Sequence, residues 1–325
     1  MAKLHLCGIN LVGGYNMEFK FIMMVGLPGS GKSTKAKELA IKNGALIVSS
    51  DTIRKKLYGD ENIQGNSTEV FNQMFNETVR ILKYQSVVYD ATNLSIKNRR
   101  GILLKLQSLS NIRKIAYVMR TPLAECKRRN ALRDRVVPEE VIDKMHNNFY
   151  IPLLGEGFDQ VVFDDIKYSD EFGRMEDCWV MNYYDCMKGF HQHNMHHQYT
   201  LDMHCRKVYD YLVKYGDYKN KHINISLMLA ALIHDYGKIL TQSFDEFGQA
   251  HYYQHHCVGA YTVMANGMVD VQMPPEVFYR MLVLINYHMN PYQWKELDTV
   301  EKYKAYFGNV YDDLMLLHRA DKEQH

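Results

Sequence analysis

The stretch VGLPGSGKST, from Val25 to Thr34, contains glycine, four residues, then Gly-Lys-Ser, from Gly26 to Ser33. It follows the apolar run FIMMV and leads into KSTKAKELA, a context that reads as strand, loop and helix. In such a loop the backbone N–H groups around Gly26, Gly29, Ser30 and Gly31 converge on phosphate oxygens at a helix N-terminus. Lys32 then reaches the β and γ phosphates, Ser33 offers its hydroxyl to Mg²⁺, and Thr34 completes the set. The chemistry is capture of ATP, or another nucleoside triphosphate, with Mg²⁺.

The next candidates lie where apolar runs stop. ALIVSS closes on Asp51, three residues before Arg54, and SVVYD closes on Asp90. A carboxylate at the carboxyl end of a parallel strand sits on the rim where open sheets bind ligands. Asp51 could accept the proton of an attacking hydroxyl there, with Arg54 holding a phosphate of the acceptor. The bland alternative is an Asp that caps a helix beside an exposed Arg. Asp90 suits the water shell of Mg²⁺, or the cap of the following helix. In KRRNALRDRVVP, Arg129 and Arg133 are four apart, which puts them on one face if the segment is helical. Two guanidinium groups there make a lid that supplies charge to phosphoryl transfer, or a solvated basic face.

A second group begins at LMLAALIHDYGK, where His234 and Asp235 stand together at the end of an apolar helical run. An adjacent His-Asp pair can bind one cation through a ring nitrogen and a carboxylate oxygen. His204 precedes it, and His255, His288 and Asp321 follow, each in its own helical pattern. His191, His193, His196, His197, His251 and His256 are weaker candidates. His255 and His256 compete for the inward position, and the offset to Gly259-Ala260 favours His255.

The elements that must carry these residues fall into two kinds. Up to about residue 165 the runs 21–25, 45–50, 86–90, 114–118 and 161–163 alternate with longer helical patterns, which predicts a parallel sheet covered by helices. From about 190 the pattern becomes helical, around 199–215, 225–237, 255–267, 275–288 and 308–321, with no convincing strand. A chain of 325 residues, 46% apolar, has room for two cores. The expected division is a leader over 1–17, an α/β unit over 18–167, a polar linker over 168–189 and an all-α unit over 190–325. The leader could equally be an expression remnant or a start upstream of Met17.

Charge follows the same division. Residues 1–167 hold 25 Lys and Arg against 17 Asp and Glu, whereas the rest hold 14 against 20. Thirteen of the 15 histidines lie beyond residue 190. A basic half suits a phosphate-rich partner and an acidic, His-rich half suits metal ions. Six cysteines without a C-x-x-C pair read as reduced thiols of an intracellular protein. No apolar run approaches the roughly 18 to 20 residues of a membrane span, so a cytoplasmic location without membrane contact is expected.

GLPGSGKST, S-D-T-I-R, Y-D-A-T-N with Arg99 and Arg100 beyond it, and R-N-A-L-R together resemble the kinase domain of the polynucleotide 5′-kinase family over about residues 20–165. The resemblance implies phosphorylation of a 5′-hydroxyl end, with Asp51 as base, Arg54 on the acceptor phosphate, and Arg129 and Arg133 as the lid. The order H, HD, H, H, D over 190–325 resembles the HD phosphohydrolase superfamily. That likeness implies an all-α HD domain in which His204, His234, Asp235 and Asp321 hold one metal. His255 and His288, with Asp235 bridging, would hold a second, and Lys238 of H-D-Y-G-K would contact a substrate phosphate. The metal would activate a water for attack on phosphorus, and Mn, Co, Ni, Fe and Zn all suit the ligands. The pair looks like the HD-type bifunctional polynucleotide kinases that heal RNA ends, although here the kinase half comes first, the reverse of the HD-first order. The expected partners are nucleic-acid ends, RNA favoured, a nucleoside triphosphate and a separate RNA ligase. Two other readings stay open: a small-molecule kinase fused to an HD nucleotide phosphohydrolase, and a nucleotide-sensing P-loop regulator of an HD hydrolase.

Overall fold

The computed structural model describes residues 18–63, 65–164, 179–193, 198–215, 225–266, 273–294 and 300–324. The region 1–17 and residues 168–178 of the expected linker lie outside the described residues, as do His196 and His197.

Five strands, β1 (Phe19–Val25), β2 (Leu46–Ser49), β3 (Val87–Asp90), β4 (Ile112–Val118) and β5 (Gln160–Phe163), form one parallel sheet in the order β2-β3-β1-β4-β5. The register explains the runs read from sequence. Alternate residues of β1 enter two different apolar clusters, Ile22 and Met24 on one face and Phe21, Met23 and Val25 on the other. A strand buried on both faces has to be apolar almost throughout. Helix α1 (Lys32–Asn43) covers the first face with Ala36 and Ala40. The second face packs under α2 (Ser50–Tyr58), α3 (Ser67–Ile81) and α4 (Ile96–Leu106), which contribute Ile53, Met74 and Leu103 among others. Two shorter helices, α5 (Leu123–Ala131) and α6 (Glu139–Asn147), lie between β4 and β5.

Helix α7 (Val180–Cys186) falls inside the expected linker and buries Val180. Beyond it, α8 (Leu201–Tyr215), α9 (Ile225–Ile233), α11 (His255–Asn266), α12 (Pro275–Tyr287) and α14 (Tyr311–Glu323) pack on one another, with α10 (Lys238–Thr241) a single turn and α13 (Val300–Phe307) against the first half. Every residue of α9 from Ser226 to Ile233 is buried, as a helix apolar all round requires. Three expectations need correction. The helical pattern over 225–237 breaks at Ile233 and resumes at Lys238. The half also holds a two-residue antiparallel ladder, β6 (Ser243–Phe244) with β7 (Ala250–His251), too short to leave a period-two signature. Finally, Val300–Phe307 is helical and lies outside the expected helical runs.

The second-face cluster continues into the helical half. Phe163 meets Phe278 edge to face with ring centroids 5.4 Å apart, and Trp179 lies 6.3 Å from the same ring. Buried polar contacts cross as well: Asn286 accepts from Ile151 N (2.8 Å) and donates to the Phe149 carbonyl (3.1 Å), and the Tyr287 hydroxyl donates to the Ile151 carbonyl (2.8 Å). No helix among the described residues is long and apolar enough to cross a membrane.

Candidate functional site

The glycine loop leaves the carboxyl end of β1 and is held from both sides. Gly26 N donates to the Thr92 carbonyl (3.1 Å), and Thr121 Oγ1 donates to the Ser30 carbonyl (2.8 Å). Gly29 has φ +75°, and a Cβ there would collide with the Cys126 carbonyl oxygen, so only glycine fits. Gly31 begins α1 with no side-chain cap, which leaves the first-turn N–H groups of that helix directed at the loop. Lys32 Nζ donates to the Leu27 carbonyl at 2.7 Å, and burial of its ammonium lowers its pKa to about 8, against the opposing pull of Asp90. Ser33 hydrogen bonds to Asp90 at the end of β3, where burial raises the Asp90 carboxyl above its ordinary range while Ser33 and Lys32 draw it down. Thr34 is exposed on α1.

Asp51 is not a helix cap. Ser49 caps α2 by accepting from Asp51 N at 3.2 Å, which frees the Asp51 carboxylate for the rim. Oδ1 of that carboxylate accepts from Arg54 Nη1 at 3.0 Å and from Arg135 Nη1 at 3.3 Å. Arg54 is only 8% exposed, so the exposed-Arg alternative does not describe it. Helix α5 ends at Ala131, so Arg129 and Arg133 do not share a helical face, contrary to the four-residue spacing argument. Arg129 leans over the loop, its Nη1 3.5 Å from where a Gly31 Cβ would stand, and pairs with Glu125 at 2.5 Å. Arg133, beyond the helix, is close enough to Lys32 and Asp90 to perturb both. Arg99 serves the scaffold: it is fully buried and forked onto Glu156 at 2.7 and 2.8 Å. Arg100 lies over the Tyr306 ring at 5.2 Å.

The second group assembles from five helix-bearing segments. His204 comes from α8, His234 and Asp235 from the turn that ends α9, His255 from the first residue of α11, His288 from the C-cap of α12 and Asp321 from α14; all six are buried. Gly237 makes the close approach possible, since a Cβ there would strike the His255 carbonyl. Asp235 lies at the centre. Its Oδ1 is 3.1 Å from His255 Nε2 and 3.4 Å from His288 Nε2, while Oδ2 is 3.6 Å from Nε2 of both His204 and His234 and 2.7 Å from Lys238 Nζ. Asp321 Oδ1 completes the first set, 3.0 Å from His204 and 3.6 Å from His234. Two candidate metal triads result, His204-His234-Asp235 and Asp235-His255-His288.

The donor chemistry fits cations. Nδ1 of His234, His255 and His288 each contacts the carbonyl three residues earlier, on Ala231, Tyr252 and Ile285, at 2.8–3.0 Å. That contact requires Nδ1–H, so in the neutral rings Nε2 carries the lone pair, and in all three it faces the cluster. His234 Nε2 is buried without a hydrogen-bond partner, and Nε2 of His255 and His288 face each other at 3.1 Å. Burial opposes charge on Asp235 and Asp321, yet both are held well below the usual carboxylate range, Asp235 by Lys238 and His234 and Asp321 by His204 and His234. Burial also opposes a charged His234, but Asp235 outweighs it and raises that ring well above its ordinary value.

His256 turns away from the group, its Nε2 3.5 Å from the Tyr150 hydroxyl, which leaves His255 as the inward residue. His191 and His193 lie together outside the cluster, and His251 pairs with Asp245 at 3.1 Å. Sequence reasoning missed Arg135, Gln192, which accepts from Lys238 Nζ at 3.0 Å, and Tyr292, which donates to Asp321 Oδ2 at 2.8 Å. Arg135 sits two residues past a singled-out arginine in a basic run; the other two carry no spacing signal.

A family model described as AAA domain matches residues 21–152. A protein of Acanthamoeba polyphaga mimivirus, named as a bifunctional polynucleotide phosphatase/kinase, is 29% identical over 183 residues, 48% of this chain and 39% of its own length. The chain therefore matches about two fifths of that relative. Among solved structures, the RNA repair complex of Pnkp1, Rnl and Hen1 is similar at 20% identity and TM-score 0.36, over 43% of this chain and 45% of that one. A gluconokinase from Sinorhizobium meliloti 1021 is similar at 16% identity and TM-score 0.32, over 45% of this chain and 82% of that one. With the glycine loop at the carboxyl end of β1 in a five-stranded parallel sheet, residues 21–152 have the architecture of a nucleotide-binding P-loop domain.

Proposed function

We propose that this chain heals nucleic-acid ends, RNA favoured, with two separate sites: the first half phosphorylates a 5′-hydroxyl and the second hydrolyses a 2′,3′-cyclic or terminal 2′/3′ phosphate. The observation that carries the kinase reading is Asp51. A nucleotide sensor needs no base for an acceptor, whereas Asp51 stands on the rim with both guanidinium contacts on Oδ1. Its carboxylate takes the proton of the 5′-hydroxyl, O5′ forms a bond to the γ-phosphorus, and the bond from that phosphorus to the β-γ bridging oxygen breaks to release ADP. Lys32, Arg129 and Arg133 stabilise the charge on the transferring group, and Ser33 with Asp90 would hold Mg²⁺. The name of the mimivirus relative supports a polynucleotide acceptor, as does the basic balance of residues 1–167.

In the second half, Asp235 would be shared between two ions, with His204, His234 and Asp321 on one side and His255 and His288 on the other. When bound, such ions supply Lewis acidity and lower the pKa of coordinated water. Lys238 would pair with the phosphate, steadied by Gln192. A separate ligase would then seal the ends. The test offers labelled ATP with a 5′-hydroxyl RNA oligonucleotide, the DNA equivalent and free nucleosides, and separately follows release of phosphate from a 2′,3′-cyclic end. Labelling of nucleosides alone would replace the reading with a small-molecule kinase; ATP hydrolysis without labelling of any acceptor would replace it with a sensor.

A further inference from the structure

The peptide that joins Ser30 to Gly31 fixes the direction of one N–H group of the glycine loop. In a planar trans peptide the carbonyl and the following N–H face opposite ways. Thr121 Oγ1 donates to the Ser30 carbonyl at 2.8 Å, so the same contact orients the Gly31 N–H at the start of α1. Thr121 lies between β4 and α5 and is itself held by the helical half: the Tyr261 hydroxyl of α11 donates to the Thr121 carbonyl at 2.7 Å. That hydroxyl is also 3.9 Å from Cys126 Sγ, and the Cys126 carbonyl is the atom that leaves no room for a Cβ on Gly29. One hydroxyl therefore touches both residues that brace the loop. Tyr261 is only 1% exposed, and its ring meets His146 and Phe149 edge to face, with centroids 4.8 and 4.9 Å away. Two residues earlier, Gly259 packs against Gly237 so closely that a Cβ on either would lie 2.8–2.9 Å from the other's backbone nitrogen, which leaves α11 little freedom to slide. Burial pushes the Tyr261 phenol well above its ordinary range, so its hydroxyl stays a donor at neutral pH.

We propose that Tyr261 is a positioning residue for the nucleotide site: through this hydroxyl the helical half sets Thr121, and with it the Gly31 N–H that serves the phosphates. This rests on the glycine loop as the phosphate seat and adds that the seat is complete only with α11 in place. Tyr261 touches no substrate and acts through Thr121. The rival role is a strap between the halves that adds stability and leaves the loop alone. Tyr287 supplies the comparison. Its buried hydroxyl also crosses between the halves, donating to the Ile151 carbonyl at 2.8 Å, and it sits among Glu156, Arg99 and Tyr306 instead of the residues that brace the loop.

The two roles separate in the full chain with a non-hydrolysable ATP analogue and Mg²⁺, titrated by calorimetry, beside urea unfolding without nucleotide. The proteins compared are the wild type, Tyr261→Phe, Tyr287→Phe, Thr121→Val, Thr121→Ser and the double variant Thr121→Val/Tyr261→Phe. Tyr261→Phe should weaken the analogue by about 2- to 10-fold, the loss expected for one neutral hydrogen bond, and Thr121→Val should weaken it at least as much. Thr121→Ser, which keeps the hydroxyl, and Tyr287→Phe should bind it as the wild type does, although both tyrosine variants lower the urea midpoint. Because Tyr261 acts through Thr121, the double variant should bind no more weakly than Thr121→Val alone. Wild-type affinity in Tyr261→Phe, or an equal loss in Tyr287→Phe, is the signature of the strap and would overturn the inference. So would losses that add in full in the double variant. A wild type that does not bind the analogue would overturn the reading of the loop as a phosphate seat, and the inference with it.

Discussion

Asp235→Ala should do more damage than any other single change in the helical half, because the two oxygens of this carboxylate serve different histidine pairs. Oδ1 faces His255 and His288, at 3.1 and 3.4 Å, and Oδ2 faces His204 and His234, each at 3.6 Å. Removing it takes a ligand from both candidate triads, whereas His255→Ala or His288→Ala takes one from the second alone. Loss of an outer partner of a metal ligand costs about 10- to 100-fold in affinity, so loss of a ligand itself should cost at least about 100-fold at each site. The metal-free protein should suffer too. Lys238 Nζ lies 2.7 Å from Asp235 Oδ2, so the variant removes the carboxylate paired with a buried ammonium, at a cost of about 3–5 kcal/mol. Metal content after loading with Mn²⁺ and desalting should fall in steps from the wild type to His255→Ala or His288→Ala to Asp235→Ala. Urea unfolding of the chelated proteins reports the stability loss, and Asp235→Asn, which keeps the shape, serves as the folding control. An Asp235→Ala protein that retains the wild-type metal content would refute the shared-carboxylate arrangement, as would His255→Ala that loses both ions.

Three further expectations follow from the first half. The Lys32 pKa near 8, against 10.5 for an ordinary lysine, means that the ammonium discharges early. ATP affinity should therefore fall by up to tenfold per pH unit above pH 8, seen by calorimetry between pH 7 and 9.5, and a flat profile would contradict the burial of that charge. The sign for stability is the reverse: between pH 8 and 10.5 the unfolded chain binds the extra proton, so the nucleotide-free protein gains stability from this group as pH rises through that window. Arg129→Ala and Arg133→Ala should lower kcat with little change in acceptor KM, while Arg54→Ala should raise acceptor KM; identical defects in all three would dissolve that division. Glu156→Ala should destabilise the whole chain by about 3–5 kcal/mol, since it leaves the fully buried Arg99 guanidinium without its carboxylate, and an unchanged urea midpoint would show that the pair contributes nothing.

The parts of this architecture that sequence revealed are those whose cause is local. FIMMV and VVYD had to be apolar because both faces of the sheet are covered, and the glycine loop had to follow β1 because its N–H groups require a helix start. The His234-Asp235 pair could be read because it closes the apolar run LMLAALI, and the other four ligands were grouped with it by the order H, HD, H, H, D. What could not be read depends on distance. Nothing in the run R-D-R-V-V-P distinguishes Arg135 from Arg133; only the end of α5 at Ala131 decides which guanidinium reaches Asp51. His255 and His256 differ in role because α11 begins at His255 and turns its neighbour towards Tyr150 of the other half. The continuity of the core between the halves, through Phe163, Phe278 and Asn286, leaves no periodic trace, since each partner satisfies its own element's pattern equally well whether or not the other is present. Arg99 is the instructive case: a motif arginine that sequence alone groups with functional residues and that burial assigns to the scaffold.

The central claim is that two independent phosphate chemistries reside on one chain, and one paired assay tests it. A single RNA oligonucleotide with a 5′-hydroxyl and a 2′,3′-cyclic phosphate is incubated with labelled ATP, Mg²⁺ and Mn²⁺, using wild type, Lys32→Ala and Asp235→Ala. The account predicts both ends healed by the wild type, only the 3′ end by Lys32→Ala and only the 5′ end by Asp235→Ala. Loss of both reactions in either variant despite native folding, or an RNA left untouched at both ends by the wild type, would contradict it.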